Sequence, residues 1–368
     1  MKITARLLML IAAILLAVSY LSGLFDPAKF WWLTIFGILF LPLLALNVIL
    51  LLWAFFRRSS AFWIPLVALL VVFPAYGGYF QFPEGEKHAE NQEFPEGEKT
   101  SENKGLDTTV TKLKILTYNV GKFNLYPSGK ALSRKSDRDS ILNLIASLSP
   151  DVICIQEFHT SGSDEFKTFL EKEFSDYESV YYLYPTNKGS YGNVILSRLP
   201  VKDKLAMDFE KSSNLALYAD IIVNNSILRV YNCHLQSYNL SLPGMVKALR
   251  TDYEATFKSA EDKLRSSIIL RPRQVDMVLD DIEACENATI VTGDFNDTPL
   301  SYAVRRLGKG HQDTFRQVGE GFGATMSLLW PLLRIDYILV PDDCKVLTHS
   351  VLRKNFSDHY PVFSEIAL

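Results

Sequence analysis

The chain has 368 residues, 48% of them hydrophobic, and a formal net charge of −3; that length suits one large domain with an added module rather than a single small domain. The near-neutral balance argues against the strong basic footprint of a tight duplex binder. Cys154, Cys233, Cys285 and Cys344 have neither CxxC pairing nor zinc-like spacing, which leaves two strand cysteines as apolar filling and a Cys285–Cys344 disulfide as an open alternative in an oxidising compartment.

Three apolar segments open the chain, over 7–24, 30–56 and 62–80. A crossing takes about 20 apolar residues, so three transmembrane helices are predicted. A cleaved signal peptide is the competing reading of the first segment. It fits poorly, because Ser19-Tyr20-Leu21-Ser22-Gly23 lacks the small-x-small pattern and two more apolar segments follow. Lys2 and Arg6 precede the first segment and Arg57-Arg58 separate the second and third. Basic loops stay cytoplasmic, so everything after about residue 80 is predicted outside. This makes the chain an integral protein of the inner (cytoplasmic) membrane with an extracytoplasmic, periplasmic domain. Trp31, Trp32, Trp53, Trp63 and Tyr76 fall near span ends, where interfacial aromatics belong.

Residues 1–81, the transmembrane module, carry +4; residues 82–103 carry −5; residues 104–368 are left with −2. Phe82-Pro83-Glu84-Gly85-Glu86-Lys87 recurs as Phe94-Pro95-Glu96-Gly97-Glu98-Lys99. Such a Glu-rich stretch punctuated by Pro and Gly reads as a flexible acidic linker over 82–104.

From 105 to 368 strands and helices alternate. Strands are predicted over 112–118, 151–155, 192–197, 215–223, 227–233, 288–292, 335–340 and 361–366, and helices over 137–147 and 265–283. Pro272 kinks the second helix or marks its first turn. Many short strands with few helices between them predict an α/β (α+β) domain: two packed mixed β-sheets flanked by helices, a four-layer αββα sandwich.

Several apolar strands stop at polar or ionisable groups: Asn119, Gln156-Glu157, His234, Gly293-Asp294-Phe295-Asn296, Arg334-Ile335-Asp336-Tyr337 and Ser357-Asp358-His359. Such groups at a buried sheet edge are costly unless they bind something, which points to a metal site that handles a polyanion. The series Thr117-Tyr118-Asn119, Ile155-Gln156-Glu157, Asn193-Val194-Ile195-Leu196-Ser197-Arg198, Asn232-Cys233-His234-Leu235, Gly293-Asp294-Phe295-Asn296, Arg334-Ile335-Asp336-Tyr337 and Ser357-Asp358-His359-Tyr360-Pro361-Val362 resembles, in order, the endonuclease/exonuclease/phosphatase superfamily. The extension Asp297-Thr298-Pro299-Leu300-Ser301-Tyr302 is similar to its bacterial membrane-anchored members.

The resemblance implies a phosphoesterase that uses Mg²⁺ or Mn²⁺. Glu157 is the expected metal ligand, a hard carboxylate suited to such ions; Asn119 completes its shell and Asp358 is a second acidic ligand. Asp294 orients or deprotonates the attacking water and Asn296 hydrogen-bonds a phosphoryl oxygen. His359 contacts the phosphate or acts as base, with Asp336 fixing its tautomer. His234 serves the phosphate or the leaving oxygen, which resembles the nuclease and sphingomyelinase branches; Cys233 stands where Thr is usual. The basic groups Arg134-Lys135-Arg138, Arg271-Arg273 and Arg305-Arg306-Lys309 are read as solvated faces, with the loop at 134–138 the choice if one reaches substrate. The expected substrate is a phosphate ester, in nucleic acid first and a phospholipid head group second. A soluble phosphate ester is a further alternative, an inactive anchored binding module is the non-enzymatic one, and no protein partner is predicted.

Overall fold

Strands that are apolar on both faces must be covered on both sides, and the chain does this by stacking two sheets between helices. The computed structural model describes residues 2–83, 111–121, 134–160, 162–187, 189–238 and 253–368. The linker expected over 82–104 therefore lies outside the described residues from 84 onward. The N-terminal part consists of α1 (Lys2–Leu21), α2 (Trp31–Ile38), α3 (Phe40–Phe56) and α4 (Trp63–Val71), then β1 (Phe80–Gln81). The first half of the sandwich runs β2 (Lys112–Asn119), α5 (Arg134–Leu148), β3 (Val152–Thr160), α6 (Ser163–Glu173), β4 (Glu178–Thr186) and β5 (Gly189–Ser197). It continues with β6 (Val201–Asp208), β7 (Leu215–Val223), β8 (Ser226–His234), α7 (Tyr253–Ala284), β9 (Ala288–Asp294) and α8 (Tyr302–Leu307). Last come β10 (His311–Asp313), α9 (Thr314–Val318), β11 (Gly321–Phe322), β12 (Asp336–Pro341), β13 (Lys345–Val351) and β14 (Val362–Ala367).

The two six-stranded sheets have the orders β10-β12-β9-β8-β7-β6 and β13-β14-β2-β3-β5-β4. Both are mixed: β2–β3 and β8–β9 are parallel and their neighbours antiparallel. Alternating residues divide between layers. Ile115, Cys154, Ile195, Leu217, Val230, Ile290 and Ile338 fill the space between the sheets. Leu116, Ile153 and Val194 face α5 and α6 instead, through Ile141, Ile145, Phe166 and Phe169. Tyr231, Val291 and Leu339 face α7 through Val275, Val278 and Leu279.

The N-terminal segments depart from three uniform spanning helices. Among the described residues one helix, Ile3–Leu24, is long and apolar enough to cross a membrane alone; α2 and α3 are bent by 55°, and the third segment yields Ser60–Val71. Proline is the reason. Pro42 has no N–H for the Ile38 carbonyl and its ring crowds that group, so the helix breaks at Leu39. Pro74 likewise stops the third helix, and a 3₁₀ helix over Phe73–Gly78 continues the path. All four cysteines are free, so the Cys285–Cys344 bridge is not formed. Residues 134–138 begin α5 instead of forming a loop, as good helix formers such as Arg and Lys allow. The helix expected over 265–283 starts far earlier, at Tyr253, with Pro272 in its interior.

The helices and the sandwich share a seam. Leu300, just after β9, packs into the cluster of Leu16, Phe40, Leu69 and Val72. A Cβ on Gly23 would lie 1.7 Å from the Leu300 carbonyl oxygen, so only glycine fits there. β1 pairs antiparallel with β11, Phe80 opposite Phe322, and Arg334 Nη1 donates to the Gly78 carbonyl at 3.2 Å.

Candidate active site

Strand register explains how distant residues meet. In the parallel pair β8–β9 His234 stands opposite Asp294, and in the antiparallel pair β9–β12 Asp294 stands opposite Asp336. The three form one row across adjacent strands. In the facing sheet Asn119 ends β2 opposite Gln156 of β3, with Glu157 next in sequence. A cross-sheet clamp underlies them: Gln156 Nε2 donates to Asn232 Oδ1 at 2.7 Å, and Asn232 Nδ2 donates to the Ile155 and Val194 carbonyls at 2.9 Å each. Buried amides bonded across the two sheets in this way fix how the sheets are seated on each other.

Local backbone conformation aims the side chains. Gly293 adopts φ +124°, and a Cβ there would sit 1.9 Å from the Cys233 carbonyl oxygen. Glycine thus lets β9 close on β8 immediately before Asp294. Glu157 (φ +55°) and Asn296 (φ +52°) both occupy the left-handed region, a cost that non-glycine residues bear mainly where the surroundings enforce a particular orientation. The register of β3 against β5 shifts between Ile155 and Phe158, so Glu157 sits at the bulge.

Asp294 is the hub. Its carboxylate accepts from Asn119 Nδ2 at 3.0 Å, Asn296 N at 2.8 Å and Asn296 Nδ2 at 3.1 Å. Burial, reinforced by the Asp336 charge, pushes its pKa up to about 6, with His359, His234 and Asn119 pulling the other way. His359 Nδ1 hydrogen-bonds Asp336 Oδ2 at 2.9 Å, which leaves Nε2 turned toward Asp294 Oδ2, 3.8 Å away. Burial alone would lower the His359 imidazole, but the carboxylates of Asp336, Asp294 and Asp358 lift it well above its ordinary value. His234 Nε2 lies 3.8 Å from Asp294 Oδ2 and 3.9 Å from Glu157 Oε1. One pocket therefore gathers Asn119, Glu157, His234, Asp294, Asn296, Asp336 and His359.

Two of the expected residues stand differently. Asp358 is exposed at the rim, its carboxylate accepting from Ser357 Oγ at 3.1 Å. Asn296 uses its amide hydrogens on Asp294 and on the Leu235 carbonyl at 3.0 Å, so it holds the carboxylate rather than facing outward. The pocket suits a hard divalent cation by its donor chemistry: ligand atoms of Asp294, Asp336 and His359 lie within 4.8 Å of one another, and Glu157 adds a carboxylate beside His234, while Asn119 turns its Nδ2 to Asp294 and its Oδ1 to Gly121 N.

Arg271, read from sequence as part of a solvated face, is 2% exposed. It pairs with Asp297 Oδ2 at 2.6 Å and donates through Nε and Nη2 to the Gln236 carbonyl at 3.0 and 2.6 Å. From α7 it thus ties together the chain beyond His234 and the chain beyond Asp294. The signal available in sequence was Asp297, an acid too close to the Asp294 motif to be left unpaired.

The description Endonuclease/Exonuclease/phosphatase family matches residues 116–359, and a domain of unknown function (DUF8431) matches residues 2–79. No curated protein matches. Among solved structures, an endonuclease/exonuclease/phosphatase from Beutenbergia cavernae DSM 12333 is similar at 21% identity and TM-score 0.51, covering 70% of this chain and 72% of that one. One from Bacteroides vulgatus has 17% identity and TM-score 0.51, covering 70% and 99%. A humanized D. rerio TDP2 has 16% identity and TM-score 0.50, covering 69% and 98%. These likenesses concern the fold; the family match extends to the motifs that build the pocket. The chain belongs to the endonuclease/exonuclease/phosphatase family and is a metal-dependent phosphoester hydrolase.

Proposed function

We propose that this pocket hydrolyses phosphodiesters in the manner of a nuclease, from a domain held at the membrane by the N-terminal helices. The observation that carries the reading is the Asp294 hub, a carboxylate near pKa 6 flanked by two imidazoles. A base with a pKa close to neutrality is suited to taking a proton from water. Asn119 and Asn296 orient Asp294 for that role. His359, held by Asp336, presents Nε2–H to a phosphoryl oxygen, and His234 presents its ring to the leaving oxygen. Glu157 would hold Mg²⁺ or Mn²⁺, with Asn119 completing or positioning its shell and Asp358 at the rim; when bound, such an ion would supply charge neutralisation at the phosphoryl oxygens.

The division into a transmembrane module (1–81), an acidic linker (82–104) and a catalytic domain (105–368) belongs to the same proposal. By length Ile3–Leu24 makes one crossing and the bent pair α2 and α3 a second if it is one span, while Ser60–Val71 is a shorter apolar helix beside them. Arg6 Nη2 donates to Ser60 Oγ at 2.7 Å, which groups the basic residues at the end of the bundle away from the seam with the sandwich. That arrangement favours a cytoplasmic N-terminus and a periplasmic pocket.

The test is hydrolysis by the purified full chain of single-stranded DNA, RNA and sphingomyelin vesicles, with Mg²⁺ and with EDTA. Oligonucleotide cleavage that EDTA abolishes is expected. Turnover of sphingomyelin alone would move the assignment to the lipid head-group reading, and no turnover of any phosphodiester would favour a binding module. The lipid reading gains support from an apolar loop beside His359.

A further inference from the structure

Between β11 and β12 the chain makes a short excursion, Ser327-Leu328-Leu329-Trp330-Pro331-Leu332, whose base is clipped to the catalytic strands. Thr325 N and Met326 N donate to the Leu333 carbonyl at 2.9 and 3.1 Å, closing the loop. Met326 bridges His359, and Ser327 N donates to the Asp358 carbonyl at 2.8 Å. Thr325 Oγ1 accepts from Ile335 N and Asp336 N at 3.1 and 3.2 Å. The loop cannot move far without disturbing Asp336 and His359.

Its outward face is apolar. Leu328 is 66% exposed, Trp330 41% and Leu332 41%, an unusual concentration on the surface of a catalytic domain. Three features indicate what covers it. An aromatic path links it to the N-terminal helices, from Trp330 to Phe322 at 5.9 Å and Phe322 to Phe80 at 5.0 Å. Phe80 lies two residues beyond Gly78, the last residue of the 3₁₀ helix near the end of the third apolar segment. The Arg353 guanidinium lies 4.9 Å from the Trp330 ring, and Arg353 and Lys354 are exposed beside it. Tryptophan with flanking cations is the composition of the lipid head-group boundary.

We infer that the loop of Leu328, Trp330 and Leu332 seats in the head-group region of the bilayer that holds the N-terminal helices, with Arg353 and Lys354 meeting lipid phosphates. This rests on the anchored reading above and deepens it: the pocket stands at the bilayer surface, within reach of phosphodiesters presented there.

The experiment labels Leu328→Cys with an environment-sensitive fluorophore in the full chain carrying Cys285→Ser and Cys344→Ser, since Cys154 and Cys233 are buried. The protein is placed in nanodiscs of phosphatidylcholine with a minority of phosphatidylglycerol. A label at Leu52→Cys reports on insertion of the helices, and one at Lys202→Cys, on an exposed stretch of β6, reports on water. The inference predicts that the 328 label emits blue-shifted and severalfold brighter than the 202 label and is quenched by doxyl-labelled lipid. A 328 label indistinguishable from the 202 label, with the 52 label quenched, overturns the inference while leaving anchoring intact. An unquenched 52 label overturns anchoring itself. The variant Leu328→Ser/Trp330→Ser/Leu332→Ser should keep turnover of soluble bis-p-nitrophenyl phosphate and lose turnover of vesicle phosphodiesters severalfold; equal loss on both substrates contradicts the surface role.

Discussion

His349 and His359 are both buried, yet their surroundings drive them in opposite directions. His349 hydrogen-bonds Thr314 Oγ1 at 2.8 Å and packs edge-on against Phe315. Burial, assisted by the nearby Arg334 guanidinium, pushes its pKa down to about 3. His359 meets two buried carboxylates and is lifted instead. Burial alone leaves an imidazole neutral; a charged one requires acids that are themselves costly to bury. The pocket therefore holds a charged imidazole among acids, whereas His349 stays neutral beside Arg334 and Phe315.

That contrast predicts which variants change rate and which change stability. The largest effect belongs to the pocket: Asp294→Ala and His359→Ala should each lower kcat/KM on bis-p-nitrophenyl phosphate by about 10³-fold, with little change in melting temperature. Loss of stability with rate preserved would erase the distinction. Arg271 lies between the two classes, because it is buried like a core residue but tethers both catalytic loops. Arg271→Met leaves the buried Asp297 carboxylate without its cation, though Tyr238 Oη and Thr298 N still donate to it, and urea unfolding should register a loss of about 3 kcal/mol. Asp336→Asn removes the carboxylate that orients His359, and kcat should fall about 10- to 100-fold while KM holds.

The last effect is a slope, small at any one pH near neutrality. His349 has its folded pKa depressed to about 3, so the unfolded chain binds a proton that the folded chain refuses between about pH 6.5 and pH 3. Its contribution is present above pH 6.5 and is lost as pH falls through that window, at about 1.4 kcal/mol per pH unit. His349→Gln should flatten this part of the curve in denaturant titrations at successive pH values. An unchanged slope would mean that His349 titrates alike in the folded and unfolded chains.

Much of the pocket was legible in sequence because β2, β8 and β9 are apolar runs that stop abruptly at Asn119, His234 and Asp294, and polar groups at a buried sheet edge are costly without partners. The sandwich was legible for a related reason, since strands buried on both faces leave no polar alternation. β4, β6 and β13 escaped notice because their exposed positions break up the apolar pattern. Arg271 was hidden because a cation on a long helix ordinarily faces water, and only folding reveals its partners. Gly23 was equally silent: its value lies in the missing Cβ that admits the Leu300 carbonyl. Pro42 was in plain view, and a proline inside an apolar run breaks a straight span.

The central claim is that Glu157 and Asp294 share one pocket that takes a divalent cation for phosphoester hydrolysis. Calorimetric titration of the full chain with Mn²⁺, for the native protein and Glu157→Gln, tests it most directly. The account predicts saturable binding by the native protein, weakened about 10-fold or more in the variant. Equal affinity in the two proteins would contradict it.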